Sequence, residues 1–349
     1  MKSQKKPLKI CIFISKFFLL MFILFSLLMG CNKKDNNQAI VDENTKKDYP
    51  DTNSTDDDKN LDAESINIEN PINFINPEGK TLDIRIMTPK GYSRIPSSSD
   101  ELTGFIRNLP LKDDGSKVLA YNKKPIKHQK NHVAVFDIDI GKKDLQQCAD
   151  SAMRIYAEYY WSLEEYDKIA FHLTNGFYME YNKWREGYRI KVDGNNVTWV
   201  HSTSYDDSYE NFLKYMERVF TYAGTLSLTA ESKPIQLSEL LPGDLLLEGG
   251  SPGHCVMVVD IATDENGNRC FLLAQGYMPA QDFHILTNPL HPEDPWYYEE
   301  EMTYPIVTPS WTFHEGTLMR WADFKLEQLY QDTSTTDEDR ITLLAVGVN

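Results

Sequence analysis

The runs His254 to Ile261 and Arg269 to Gln275 are largely apolar and flank the dipeptide Asn266-Gly267. Asn-Gly is the strongest short signal of a tight β-hairpin, because a two-residue turn needs positive φ at both central positions. Any fold of this chain therefore contains antiparallel strands. Upstream the periodicity is helical. Leu145, Cys148, Ala149, Ala152, Ile155, Tyr156 and Tyr159 recur at i, i+3, i+4, i+7, as do Tyr209, Phe212, Leu213, Met216, Val219, Phe220 and Ala223. Helices first and an antiparallel meander later give an α+β class.

The first helix is expected to begin at Asp144, with Gln147 as capping-box partner, which puts Cys148 in the first turn. The second is expected over 208–223 with Gly224 as its stop. A short helix is expected over 100–108. Strands are expected over 81–87, 118–121, 132–138 and 169–173, at 187–192 and 197–202 around Asp193-Gly194-Asn195-Asn196, and up to Leu247. A tight turn at Asn266-Gly267 would set Val258 opposite Gln275 and Pro279 opposite His254. His254 and Gln275 would then share a face two pleats apart, with Tyr277 nearer, and a bulge or looser connection is needed to join them.

At the N-terminus, Lys2, Lys5, Lys6 and Lys9 precede the run Phe17 to Met29, apolar except for Ser26. That run is too short to span a bilayer comfortably, so residues 1–30 read as a signal peptide. Leu28-Met29-Gly30-Cys31 resembles a bacterial lipoprotein processing box, which implies cleavage before Cys31 and lipidation of its sulfur. An ordinary signal anchor with a chance cysteine is the alternative. Residues 31–70 are rich in Asn, Asp, Lys, Ser and Thr, and are expected to form a disordered acidic tether. Residues 71–349 are expected to form one globular domain. The expected location is the bacterial cell envelope, with the membrane as partner through the lipid on Cys31.

Loss of residues 1–30, which carry five lysines and no acid, would move the net charge from −16 to −21. So acidic a chain is a poor ligand for phosphate backbones, and nucleic acid is excluded as a partner. His291-Pro292-Glu293-Asp294 and Glu299-Glu300-Glu301 read as solvated acidic loops. With no Cys-x-x-Cys and no His-Glu-x-x-His in the chain, neither a metal nor an organic cofactor is implied.

Leu241-Pro242-Gly243-Asp244 leads into a strand, and Gly249-Gly250-Ser251-Pro252-Gly253 leads to His254 at the start of the next. This arrangement resembles a papain-like thiol hydrolase of the NlpC cell-wall type. The resemblance implies a Cys-bearing helix packed on an antiparallel sheet, with Cys148 as nucleophile, His254 as base and Gln275 as the residue that orients the imidazole. A helix N-terminus and a nearby imidazolium both lower a thiol pKa, and first-turn N–H groups suit an oxyanion. Gly250, Ser251, Gly253 and Tyr277 are candidate substrate contacts, the glycines allowing close backbone approach. Arg154, in the ladder Asp150-Arg154-Glu158, is a candidate for a charged substrate group.

Each of these residues also has a structural reading. Cys148 suits a small core position, His254 a hydrogen-bonded structural histidine, and Arg154 an i, i+4 ion pair. Cys255 and Cys270 allow but do not require a disulfide. Trp311, Phe313 and Trp321 are assigned to the core. About one hundred residues separate Cys148 from His254, more than compact hydrolases use, so an inserted subdomain is expected at about 165–240.

At a finer level, Leu145-Gln146-Gln147-Cys148-Ala149-Asp150, Tyr222-Ala223-Gly224-Thr225-Leu226, Gly249-Gly250-Ser251-Pro252-Gly253-His254 and Ala274-Gln275-Gly276-Tyr277-Met278-Pro279-Ala280-Gln281 resemble a bacterial lipoprotein family catalogued as domain of unknown function 4846. The resemblance covers most of 80–321 and implies lipoprotein status and domain limits, not an activity. The functional expectation is a lipid-anchored thiol hydrolase cleaving amide bonds, with peptidoglycan peptides favoured. The competing expectation is a non-catalytic envelope lipoprotein that uses a hydrolase-like fold as a binding surface.

Overall fold

The computed structural model describes residues 73–321, all within one compact unit. The expected signal peptide, Cys31 and the tether lie outside the described residues. The helices are α1 (Leu82–Arg85), α2 (Leu102–Asn108), α3 (Cys148–Ser162), α4 (Tyr181–Arg185), α5 (Tyr209–Tyr222) and α6 (Thr225–Ala230). The strands up to the site are β1 (Ser93–Arg94), β2 (His132–Val135), β3 (Ala170–His172), β4 (Tyr178–Glu180), β5 (Tyr188–Asp193), β6 (Asn196–His201), β7 (Ser232–Pro234) and β8 (Leu245–Glu248). Then come β9 (His254–Thr263), β10 (Arg269–Gln275), β11 (His284–Leu286), β12 (Tyr297–Tyr298), β13 (Ile306–Val307), β14 (Thr312–Phe313) and β15 (Leu318–Trp321).

A nine-stranded sheet in the order β2-β11-β10-β9-β8-β15-β7 forms the centre, with β1 on β9 and β12 on β10. Its pairings are antiparallel. The fold is therefore α+β around a large antiparallel sheet. Cys255, Met257 and Val259 of β9 join Met153 and Tyr156 of α3 in one apolar cluster, while Val256 and Val258 join Leu246, Phe271 and Phe313 in another. Both faces of β9 are thus covered, which explains its nearly unbroken apolar run. The stretch expected as an insertion holds the separate hairpins β3-β4 and β5-β6 with α4, α5 and α6, before β7 adds to β15.

Several expectations need correction. Residues 81–87 form the single turn α1 rather than a strand. Leu82 and Ile86, four apart, are fully buried while Ile84 and Met87 face solvent, and Arg85 turns inward to donate from Nε and Nη2 to Gly79 O at 2.9 and 2.6 Å. Residues 118–121 contribute only isolated bridges, through Leu119 and Ala120. Helix α5 ends at Tyr222, just before Gly224 as expected, but the glycine does not adopt positive φ. Its extended backbone starts α6, and its N–H donates to Ser227 Oγ at 3.0 Å. Ser208 caps α5 by accepting from Asn211 N at 3.2 Å.

The central hairpin also departs from the tight-turn expectation. Asp264 accepts the N–H groups of Asn266 and Asn268 at 2.9 and 2.8 Å, and Thr263 pairs with Arg269 across the wider loop. The register then shifts between Leu272 and Leu273, so that Ala274 faces Met257. Gln275 comes level with Val256 instead of Val258, one pleat nearer His254. Beside the shift, Asp260 is fully buried between Arg94 Nε at 2.6 Å and Arg107 Nε at 2.8 Å.

Candidate functional site

Helix α3 begins at Cys148 with Gln147 at the N-cap, three residues later than the Asp144 start expected. Asp150 Oδ2 accepts from Gln147 N at 3.0 Å. Asp144 instead accepts from Gln147 Nε2 at 3.0 Å and from Ala280 N at 2.7 Å, which ties the loop after β10 to the helix start. Gly276 makes this approach possible: a Cβ there would stand 2.2 Å from Ser151 Oγ and 2.7 Å from Gln147 O. A comparable contact holds the loop before β9. Thr225 Oγ1 lies 3.2 Å from Gly250 O and 3.3 Å from Gly250 N, and a Cβ on Gly253 would meet that same oxygen at 2.5 Å. Glycine at 253 is thus needed for packing on α6.

These contacts shape a cleft of about 460 Å³. Cys148, His254, Gly250, Ser251, Gly253 and Tyr277 all line it, as does Trp311. Asp144 and Asp150 are in its wall, and no lysine or arginine lines it. Two candidates lie elsewhere. Gln275 sits behind His254, and Arg154 is away from the cleft. The Arg154 side chain bonds Glu158 Oε1 at 2.6 Å, Gln146 Oε1 at 3.2 Å and Tyr209 Oη at 3.1 Å, so its guanidinium is occupied within the helix layer.

The electrostatics run against the expected thiolate. Burial, then Asp150, pushes the Cys148 thiol up to about 11, and backbone N–H groups of Ala149 and Cys255 only partly offset this. The interaction with Cys255, the neighbour of His254, also ties the sulfur to the start of β9. Burial lowers His254 to about 4. The resting pair is therefore a neutral thiol and a neutral imidazole. The reason is that both groups are desolvated by burial, and the helix N-terminus does not outweigh this.

His254 is 2 % exposed and packed against Tyr277, Trp311 and Phe313, with ring centroids 4.9, 5.2 and 5.9 Å away. Trp311 was expected in the core. It is only half-buried, and its Nε1 donates to Glu248 Oε2 at 3.0 Å. Phe313 and Trp321 are buried.

The tautomer of His254 follows from a chain of hydrogen bonds that starts at a backbone carbonyl. His284 Nδ1 lies 2.8 Å from Asp282 O. A carbonyl only accepts, so Nδ1 carries the proton. Burial keeps this ring neutral, with a pKa lowered to about 4, so its Nε2 is an acceptor. The Gln275 amide nitrogen, 3.4 Å away, points to that acceptor and donates to Ser310 Oγ at 3.1 Å. Its Oε1 is thereby turned to His254 Nε2 at 2.8 Å. His254 accordingly holds its proton on Nε2 and keeps the lone pair on Nδ1. His284 and Ser310 were not singled out in the sequence. The only local signal is the position of His284 on a short strand after Gln275, and the pairing Gln275↔His284 requires the fold.

Asp150 is also perturbed. It is buried, its Oδ1 has no hydrogen-bond partner, and desolvation raises its pKa to about 8. Cys148, Cys255 and Cys270 are free thiols, so the allowed disulfide is not formed. Among the described residues no three His, Cys, Asp or Glu side chains gather to hold a metal, and no helix is long and apolar enough to cross a membrane.

Residues 82–320 match a family described as a domain of unknown function (4846). No curated protein matches the chain. No solved structure matches it.

Proposed function

The chain belongs to the domain of unknown function (4846) family, and on that premise we propose that it is a lipid-anchored thiol hydrolase of the bacterial cell envelope with a papain-like, NlpC-type site that cleaves amide bonds, cell-wall peptides being the favoured substrates. The observation that carries this reading is the hydrogen bond from His254 Nε2 to Gln275 Oε1 at 2.8 Å, which leaves Nδ1 as a base beside the cleft that Cys148 lines. The lipid anchor rests on the processing box ending at Cys31.

Because the resting pair is neutral, the reaction proceeds by general-base catalysis. His254 Nδ1 takes the thiol proton as Cys148 Sγ bonds to the amide carbon. First-turn N–H groups of α3 face the developing oxyanion. The imidazolium returns the proton to the leaving nitrogen as the C–N bond breaks. Water, deprotonated by His254, then hydrolyses the thioester and regenerates the thiol.

The test is digestion of purified peptidoglycan by the native chain and by Cys148→Ala. The expected result is release of stem-peptide fragments by the native protein and none by the variant. Equal release by both would overturn the assignment.

The buried, protonated thiol also favours a second reading, in which the family keeps this fold as a non-catalytic binding surface. Digestion separates the two, because slow iodoacetamide labelling near pH 6 is expected of both. An enzyme labels slowly near pH 6 yet digests substrate, whereas a binding protein labels slowly and digests nothing.

A further inference from the structure

A second pocket, of about 560 Å³, shares Tyr277 and Met278 with the thiol cleft and has the opposite electrostatic character. In a chain with 52 acidic and 36 basic residues, no Asp or Glu lines it, while Lys124, Lys127 and His128 do. They belong to the segment 122–131, which carries four lysines and no acid. Among the described residues neither Lys124 nor Lys127 pairs with a carboxylate. Deeper in the pocket, Gln281 is 4 % exposed, and among the described residues its side-chain amide has no hydrogen-bond partner. That amide is not sealed from solvent, unlike Asp150 Oδ1, so it is open to a ligand in the pocket. The floor adds Gln275 and Ser310, which are hydrogen-bonded to each other.

We propose that this pocket binds a carboxylate of a peptide whose neighbouring residues lie in the thiol cleft. The exposed lysines supply the attraction, and the Gln281 amide donates to a carboxylate oxygen deeper in the pocket. The volume accommodates one or two residues beyond the bond in the cleft. This inference names the substrate class of the proposed hydrolase and rests on that reading, but it is tested by binding alone.

The experiment uses full-length Cys148→Ala, which cannot consume a substrate, and follows binding by calorimetry at low and moderate salt. The probes are N-acetyl-Ala-Glu, its uncharged counterpart N-acetyl-Ala-Gln-amide, and inorganic phosphate. The acidic dipeptide is expected to bind about tenfold more tightly than the uncharged one, in line with a charge-assisted hydrogen bond, and to weaken as salt rises. Lys124→Gln with Lys127→Gln should abolish that preference, and Gln281→Leu should reduce it without changing the salt dependence. Both sets of variants must retain the far-ultraviolet circular dichroism of the parent. Equal affinity for the two peptides, no detectable binding of the acidic one, or tighter binding of phosphate would each overturn the proposal. A binding preference without hydrolysis by the native chain would instead fault the hydrolase reading and leave the carboxylate site standing.

Discussion

The thiol cleft and the cationic pocket share a wall at Tyr277 yet differ in what controls their charge. Asp144 and Asp150 border the cleft and its reactive groups rest neutral, while lysines border the pocket, whose lining holds no Asp or Glu. Burial and Asp150 push the Cys148 thiol up, with only backbone N–H groups opposing them. Proximity in sequence to a helix N-terminus therefore does not define a thiolate. Desolvation outweighs the helix end unless a cation is also at hand. The chain from His254 through Gln275 to His284 spans from the cleft to the second pocket.

Four substitutions probe that difference, beginning with the largest effect. His254→Ala removes the base on the cleft side and should lower kcat by on the order of a thousandfold, measured by release of stem peptides. Gln275→Ala leaves the imidazole in place but frees its tautomer and orientation, with a loss of about a hundredfold expected from misplacement alone. His284→Phe reaches the cleft only through Gln275. It should lower kcat by up to about tenfold, the scale of one net hydrogen bond, with KM for a short uncharged peptide unchanged. An equal effect on KM would mean that His284 acts on substrate binding and not through Gln275 on the imidazole.

The smallest effect on rate, and the sharpest on charge, is expected of Asp150→Asn. The amide oxygen still accepts from Gln147 N, but the repulsion on the thiol disappears, so the pH profile of Cys148 alkylation should move to lower pH. Stability changes as well. Asp150 has a folded pKa of about 8 against 3.8 for the free group, so the native state binds more protons between these values and loses stability as pH rises through the window. The Asn variant should therefore gain stability over its parent from pH 4 to pH 8 in denaturant titrations. His254 and His284 act in the opposite sense. Both pKa values fall from 6.5 to about 4, so acidification through that window should lower stability by about 1.4 kcal/mol per pH unit for each ring.

Local signals made some of this legible before the fold was known. Ser208 before an amphipathic run marks α5, and Asp193-Gly194-Asn195-Asn196 marks the β5-β6 hairpin, whose register closes at Asp193↔Asn196. The Cys148 helix and the His254 strand were legible for the same reason. The alternation in 81–87 misled because the core takes Leu82 and Ile86 from one helical face while Arg85 finds a carbonyl. The wider loop and register shift of β9-β10 depend on Asp264 and on strand pairing, and no dipeptide encodes them. His284, Ser310 and Gln281 reach the site from separate segments. The pKa of Cys148 depends on how much water the completed fold excludes, which no local pattern reports.

The central claim is that Cys148 is a nucleophile drawn from a neutral thiol. Its most direct test is rapid acid quenching of the full-length protein during digestion of peptidoglycan stem peptides, followed by peptide mapping in the mass spectrometer. The account predicts an acyl adduct on Cys148 that forms at neutral pH and is absent from His254→Ala. Release of peptide fragments with no adduct on Cys148 at any quench time would contradict it.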